Sequence, residues 1–284
     1  MTLKTRPTFI GIGGHKCAST WLSECMREHP EVFMSEPKEI GYFSWHYDKG
    51  IDWYLKHFRG SENYKQKGEF TSHYLYEESV PQRILESVGK VKLIVVVRDP
   101  VKRALSQIKY GIRHGFIRSS IDSKINLESL RKMIAHYPEI VSRSYYSKGI
   151  ESFANTFGED NLIVLDQSDC RKMPIQILDK IWRYLDVKRT FIPSRAKKNI
   201  SKGIVPRWQF LETLRKKIFY LANRNSPRII TIVRRLRIAE LYRKINNGKE
   251  ITLDNAAREY LEEIFKGDWE KTKSFVWKPK SRES

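Results

Sequence analysis

Long apolar runs are missing from this chain of 284 residues; the clearest, Leu93 to Val97, is far short of the ~20 residues a membrane-spanning helix needs. The N-terminus, MTLKTRPTFIGIGG, lacks the apolar stretch of a secretory leader. Cysteine is scarce. Cys17, Cys25 and Cys170 cannot all pair and show no metal-ligand spacing, so a reducing compartment, the cytoplasm, is the expectation. There is no internal repeat and no low-complexity linker. Acids are too few to balance the bases: 33 Asp and Glu face 53 Lys and Arg, a formal net charge of +20. That excess calls for an anionic partner such as a nucleic acid, an acidic glycan, a phosphorylated ligand or a membrane surface.

What is present suits a soluble globular protein, at 40% hydrophobic and 30% charged residues. The length fits one large domain over 1–284. PTFIGI, residues 7–12, reads as a short buried strand, and GGHKCAST leads from it into a helical pattern that stops near His29, before Pro30. KVKLIVVV, residues 90–97, is too uniformly aliphatic for a surface strand and reads as a central parallel strand covered on both faces. A helix from Val101 to about His114 follows it. NLIVL, residues 161–165, is a third strand, preceded by a helix through SKGIESFANTF. Strands alternating with helices predict an α/β fold: a central parallel sheet with flanking helices and a P-loop-like strand–loop–helix at its start. From about Pro206 the pattern is helical and basic, with only a brief RIITIV. Between Val205 and Lys249 twelve Lys and Arg face Glu212 and Glu240 alone, a net +10. A final helix from Thr252 to about Lys271 is rich in Glu early and ends in Lys, as the helix dipole favours.

A Gly-Gly turn between a buried strand and a helix aims backbone N–H groups at an anion. Lys16 adds a mobile charge, and Ser19 and Thr20 add hydroxyls. This is not the Walker A pattern, because Lys16 precedes Ser19 by three residues and no second glycine closes the loop. The plainer alternative is a tight turn beside a solvated lysine. Arg98 sits where ligands bind in open α/β sheets, just past the end of the VVV strand. Its planar fork suits phosphate, and Ser106 lies about two helical turns further on. Asp99 either pairs with Arg98 or caps the next helix.

At these residues the chain resembles the sulfotransferases that use 3′-phosphoadenosine 5′-phosphosulfate (PAPS). GGHKCASTWL looks like their 5′-phosphosulfate loop, and LIVVVRDPVKRALSQ resembles their 3′-phosphate motif. SEPKEIGYFSWHYDKGIDWYLKHF, Ser35 to Phe58, is similar to the segment that follows in glycan sulfotransferases, notably the heparan sulfate group. EDNLIVL and KKNISKGIVPR also match, so the resemblance covers roughly residues 7–206. Three positions depart from it. Cys17 and Ala18 stand where Thr and Gly are more usual. Gly41 replaces a larger residue, often His or Gln, which alters the floor of the acceptor pocket.

The resemblance implies a donor, PAPS, and no metal. Lys16 would stabilise the leaving group. Cys17, Ala18, Ser19 and Thr20 would hold the 5′-phosphate, with Trp21 near the adenine or in the core. Arg98 and Ser106 would hold the 3′-phosphate. Lys198, Asn199, Ser201, Lys202 and Gly203 would belong to a donor-covering loop. Glu39 is the implied base, with His73 the runner-up; a salt bridge from Glu39 to Lys38 and a packed His73 are the plainer readings. The acceptor would be a carbohydrate, a glycolipid or a small molecule, with the basic segment lining a glycan cleft or lying on anionic lipid. Two other readings remain: a P-loop kinase-like NTPase, and a non-enzymatic polyanion binder whose basic helices take nucleic acid.

Overall fold

The computed structural model describes residues 5–117, 123–197, 248 and 250–278. The chain divides into two compact units. The first takes the described residues within Met1–Arg103, Ser142–Ser201 and Ile264–Ser284, the second those within Ala104–Val141 and Lys202–Glu263.

The first unit is a five-stranded parallel sheet with helical crossovers. Along the chain come β1 (Phe9–Gly13), α1 (Ser19–Arg27), β2 (Val32–Met34), α2 (Tyr42–Trp45), α3 (Ile51–Leu55), β3 (Gln66–Phe70), α4 (Val80–Val88) and β4 (Lys92–Val97). Then α5 (Pro100–His114) runs on into the second unit, where β5 (Lys124–Ile125) and α6 (Leu127–His136) follow. The chain returns through α7 (Glu139–Ser142) to α8 (Ser147–Phe157), β6 (Leu162–Asp166), α9 (Gln167–Lys172) and α10 (Pro174–Leu185). In the second unit β7 (Thr252–Leu253) pairs in parallel with β5. A last helix, Asn255–Phe275, ends the described chain.

The sheet order is β2-β3-β1-β4-β6. From β1 the chain crosses towards β2; from β3 it crosses over β1 to β4. The carboxyl ends of β1 and β4 therefore flank a topological switch point, where open α/β sheets bind ligands. The expected strands at residues 7–12, 90–97 and 161–165 are β1, β4 and β6, each shifted by a residue or two. The residues of β4 from Leu93 to Val97 are fully buried, as a covered central strand requires. The expected helix after β1 ends at Arg27, two residues before His29, and the final helix begins and ends a few residues later than its sequence pattern. The basic 205–249 segment, RIITIV and the Lys198–Gly203 loop lie outside the described residues, Gly248 apart.

Strand β3 is the one the pattern hides. Its sequence, QKGEF, carries a lysine, a glycine and a glutamate, yet its last four residues are buried. The reason lies in its pairing with β1. Phe9 faces Gly68 and Gly11 faces Phe70 across the ladder. A Cβ on Gly11 would come within 2.0 Å of the Phe70 ring, and one on Gly68 within 2.3 Å of the Phe9 ring. Each glycine is the space the opposite phenyl ring fills. We expect Gly11→Ala to destabilise the fold by ~1–3 kcal/mol, the usual cost of overpacking. Urea unfolding should also show part of that loss restored in the double change Gly11→Ala with Phe70→Leu; no recovery would mean that the ring is not what Gly11 accommodates.

Candidate active site

The loop after β1 is held by backbone bonds rather than by acids. Gly14 N donates to Val96 O at 2.7 Å, pinning the loop to the end of β4. Lys16 and Ala18 take left-handed conformations, with φ of 64° and 77°. Left-handed residues set within a loop turn successive N–H groups to one side and make a concave anion nest. Ala18 is the N-cap of α1 and offers no side-chain oxygen to the helix's first turn. The N–H groups there are left for a ligand. Ser19 is buried, Thr20 exposed and Lys16 partly buried. Cys17 is fully buried, and burial pushes its thiol up to about 11, so it remains an S–H. Its Sγ lies 3.3 Å from His15 O and 3.6 Å from the Tyr146 hydroxyl.

Arg98 reaches back into this loop. Its Nη1 donates to Lys16 O at 3.2 Å, while Tyr146 Oη donates to Arg98 O at 3.1 Å. The buried Arg98 Nε has no hydrogen-bond partner among the described residues. Burial holds its guanidinium below the ordinary arginine pKa. Asp99 does not pair with it: Asp99 Oδ1 accepts from Lys102 N at 2.8 Å and caps α5. Ser106 lies further along α5, in the second unit, and is partly buried.

His15 reports the field at the loop. Its pKa falls from 6.5 to about 3, first through burial, then through Lys16, Arg143, Arg103 and Lys38. Its Nδ1 is buried with no hydrogen-bond partner among the described residues. A neutral imidazole among cations, two orphaned nitrogens and a nest of N–H groups all fit a multiply charged anion such as a phosphosulfate donor.

Glu39 stands one lysine away. The Lys38 ammonium touches the Glu39 carboxylate and reaches Ser19 Oγ at 3.4 Å. Ser72 N donates to Glu39 Oε2 at 2.8 Å, and Ser72 Oγ to Oε1 at 3.1 Å. The Glu39 backbone is left-handed, φ 63°, a conformation that costs about 1 kcal/mol or more and persists only where neighbours fix it. Glu39 N donates to Phe70 O at 2.9 Å, and Gly41 N to Thr71 Oγ1 at 3.1 Å. Beneath them lies Glu69, fully buried, with hydroxyls of Thr71, Tyr74 and Tyr54 on its carboxylate. Burial still wins, raising its pKa to about 7. Sequence reasoning missed Glu69; its only signal was a carboxylate in the run GEFTSHYLY.

His73 lies beside this group. Its Nε2 meets Glu77 Oε1 at 2.7 Å, and its ring stacks on Trp45. Trp21 is buried and donates from Nε1 to Arg195 O at 3.2 Å. Arg195 in turn pairs with Glu24 and Glu28 of α1 and its C-terminal cap. The chain therefore approaches Lys198 from an anchored position on α1. Among the described residues no group of three or more His, Cys, Asp or Glu is placed to hold a metal.

The chain matches the sulfotransferase domain family over residues 6–275. It is 39% identical over 110 residues to the membrane-associated sulfotransferase kil1 of Dictyostelium discoideum, a match of 38% of this chain and 23% of that protein. It is 25% identical over 209 residues to the bifunctional heparan sulfate N-deacetylase/N-sulfotransferase 3 of Mus musculus, covering 67% of this chain and 23% of that one. The chain thus spans under a quarter of the length of these relatives. A sulfotransferase from Alicyclobacillus acidocaldarius shares the fold, with a TM-score of 0.59 at 20% identity over 69% of this chain and 87% of that one.

The expectation of a cytoplasmic protein is corrected by these relatives, one of which is membrane-associated by name. All three thiols are buried and free. Among the described residues no helix is long and apolar enough to cross a membrane.

The suppressed pKa of His15 sets a pH dependence. The unfolded chain takes up this proton near pH 6.5 and the folded one only near 3. Stability contributed by neutral His15 is complete above 6.5 and is lost as pH falls towards 3. Urea midpoints measured across that window should fall less steeply for His15→Gln than for the parent. Parallel curves would show that His15 titrates normally.

Proposed function

This chain belongs to the sulfotransferase domain family, and on that footing we propose that it transfers a sulfuryl group from PAPS to a hydroxyl or amine of a carbohydrate-bearing acceptor. One observation supports the reading above the others. Lys38 bridges the carboxylate of Glu39 and the hydroxyl of Ser19, so a base stands within one side chain of the anion loop. A transferase needs that adjacency, because the acceptor must lose its proton where the donor's sulfur is presented.

The donor, when bound, supplies the sulfuryl group and a phosphate leaving group. The chain's own tasks follow from position. The N–H groups of Ala18 to Thr20, with the Ser19 and Thr20 hydroxyls, hold the 5′-phosphate; the Cys17 N–H, expected to join them, donates to Gly14 O at 3.3 Å. The Lys16 ammonium balances charge that grows on the leaving oxygen, where a preplaced cation acts most strongly. Arg98, with its orphaned Nε at the end of β4, takes the 3′-phosphate. Glu39 accepts the acceptor's proton at a carboxylate oxygen as the nucleophile attacks. Ser72 and Lys38 aim that carboxylate through their hydrogen bonds to it. His73 is the poorer base of the two, since Glu77 holds its Nε2 and Trp45 covers a face of its ring. The heparan sulfate enzyme among the relatives supports a carbohydrate acceptor.

Two substitutions test the assignment. Lys16→Ala should lower turnover by about 10²-fold or more while donor affinity changes less, the mark of a charge that works in the transition state. Glu39→Gln keeps the shape of the side chain and removes its basicity. It should leave the affinity for adenosine 3′,5′-bisphosphate within a few-fold of normal and cut turnover by roughly 10²–10⁴. Isothermal titration and a labelled-donor assay read the two quantities. If His73→Ala abolishes turnover while Glu39→Gln keeps it, the base is His73.

A further inference from the structure

Trp45 is 55% exposed, at the end of the one-turn helix α2. An exposed tryptophan on a surface is ordinary; this one is fixed from behind. Its ring stacks on His73, centroids 4.6 Å apart and planes 28° from parallel. Its edge lies over Gly41, where an added Cβ would come within 2.6 Å of Trp45 Cε3. Gly41 itself is left-handed, φ 67°, and its carbonyl accepts from Trp45 N at 2.9 Å. A larger residue at 41 would claim the space the indole occupies. Gly41 and the seat of Trp45 are thus one packing arrangement.

The platform adjoins the base. Gly41 is two residues from Glu39, and His73 follows Ser72, which holds the Glu39 carboxylate through its N–H and hydroxyl. At the edge of the stacked rings Glu77 binds His73 Nε2 and stays 41% exposed. A flat, immobile apolar face with a carboxylate at its rim has the chemistry that suits a sugar ring. The C–H face of a pyranose lies on the indole, and a ring hydroxyl donates to the carboxylate. A purely aromatic acceptor would use the indole and have no use for the rim.

We propose that Trp45, seated on Gly41 and His73, is the stacking platform for a sugar ring of the acceptor, next to the ring whose nucleophile meets Glu39. This rests on the sulfotransferase reading of the Glu39 site and adds to it the ring that the site grips.

The test uses the full chain saturated with adenosine 3′,5′-bisphosphate and two probes, a de-N-sulfated heparin hexasaccharide and 2-naphthol. The parent should bind the hexasaccharide with a change in tryptophan fluorescence. Trp45→Ala should weaken that binding by about tenfold or more, the scale of one aromatic contact, and Trp45→Phe should recover part of it. Nucleotide affinity should be equal in all three proteins, and circular dichroism should show them equally folded. Parent-like hexasaccharide binding by Trp45→Ala overturns the platform. So does a parent that binds nucleotide and naphthol but not the sugar, or a Trp45→Ala loss larger for naphthol than for the hexasaccharide. A parent that fails to bind the nucleotide overturns the donor reading itself, and the platform with it.

Discussion

Like charges crowd the carboxyl ends of β1 and β4, and burial has removed much of the water that would screen them. Lys16, Lys38, Arg103 and Arg143 all act on His15, which stays neutral as a result. The loop itself, Gly14 to Ala18, carries no carboxylate. The frame around it is built instead from neutral hydroxyls and a thiol. Tyr76 Oη accepts from His15 N at 3.3 Å and donates to Arg143 O at 2.9 Å. Tyr146 and Cys17 join the loop to the Arg98 backbone, and burial keeps both protonated. A frame of this kind holds its shape without competing for an incoming anion. An acid in the same place would pair with the cations and occupy the site it was meant to support.

The second half of the site is arranged on the opposite principle. Here a carboxylate is wanted, and it is positioned by hydrogen bonds and one lysine. The end of β3 sets the geometry: Thr71 N bonds to Gly11 O, Thr71 Oγ1 receives Gly41 N, and Tyr74 Oη receives Phe43 N. Through these bonds the left-handed turns at Glu39 and Gly41 are fixed from beneath by the Glu69 cluster. The base and the anion loop therefore hang on neighbouring strands of one sheet, and a single side chain, Lys38, touches both.

The sequence made some of this legible and concealed the rest for physical reasons. A strand buried on both faces leaves an unbroken aliphatic run, so β4 and the position of Arg98 could be read directly. The Gly-Gly turn before a helix was readable as a pair of turn residues, and packing leaves little room there for a side chain: a Cβ on Gly13 would come within 2.8 Å of Leu75 Cβ. β3 was not, because its polar residues are buried with hydrogen-bond partners that no apolar pattern marks: Glu69 with Tyr54 and Tyr74, Lys67 with the carbonyl of Tyr64. Glu39 came from resemblance alone, as nothing local marks a strained, hydrogen-bonded glutamate. Gly41 was noticed as a departure, but only packing shows that the space it leaves is taken by Trp45. The cysteines misled, because scarcity and spacing say nothing of why a thiol is buried.

The capping of α8 has a consequence for the order in which the protein can be made. Tyr146 N and Ser147 N donate to the two carboxylate oxygens of Asp268, and the Ser147 hydroxyl joins them. Tyr146 also steadies the Cys17 loop and the Arg98 carbonyl. The cap is 122 residues downstream of the residue it caps. A nascent chain can lay down β1, β4 and β6 while the ribosome is still at work. Yet the first turn of α8 waits for Asp268, which emerges only with the final helix. Every strand of the sheet precedes residue 167, whereas the carboxylate that caps α8 lies about a hundred residues further on, in the last described helix. A ribosome-bound chain stopped before Asp268 would hold the strands of the site without its finished floor.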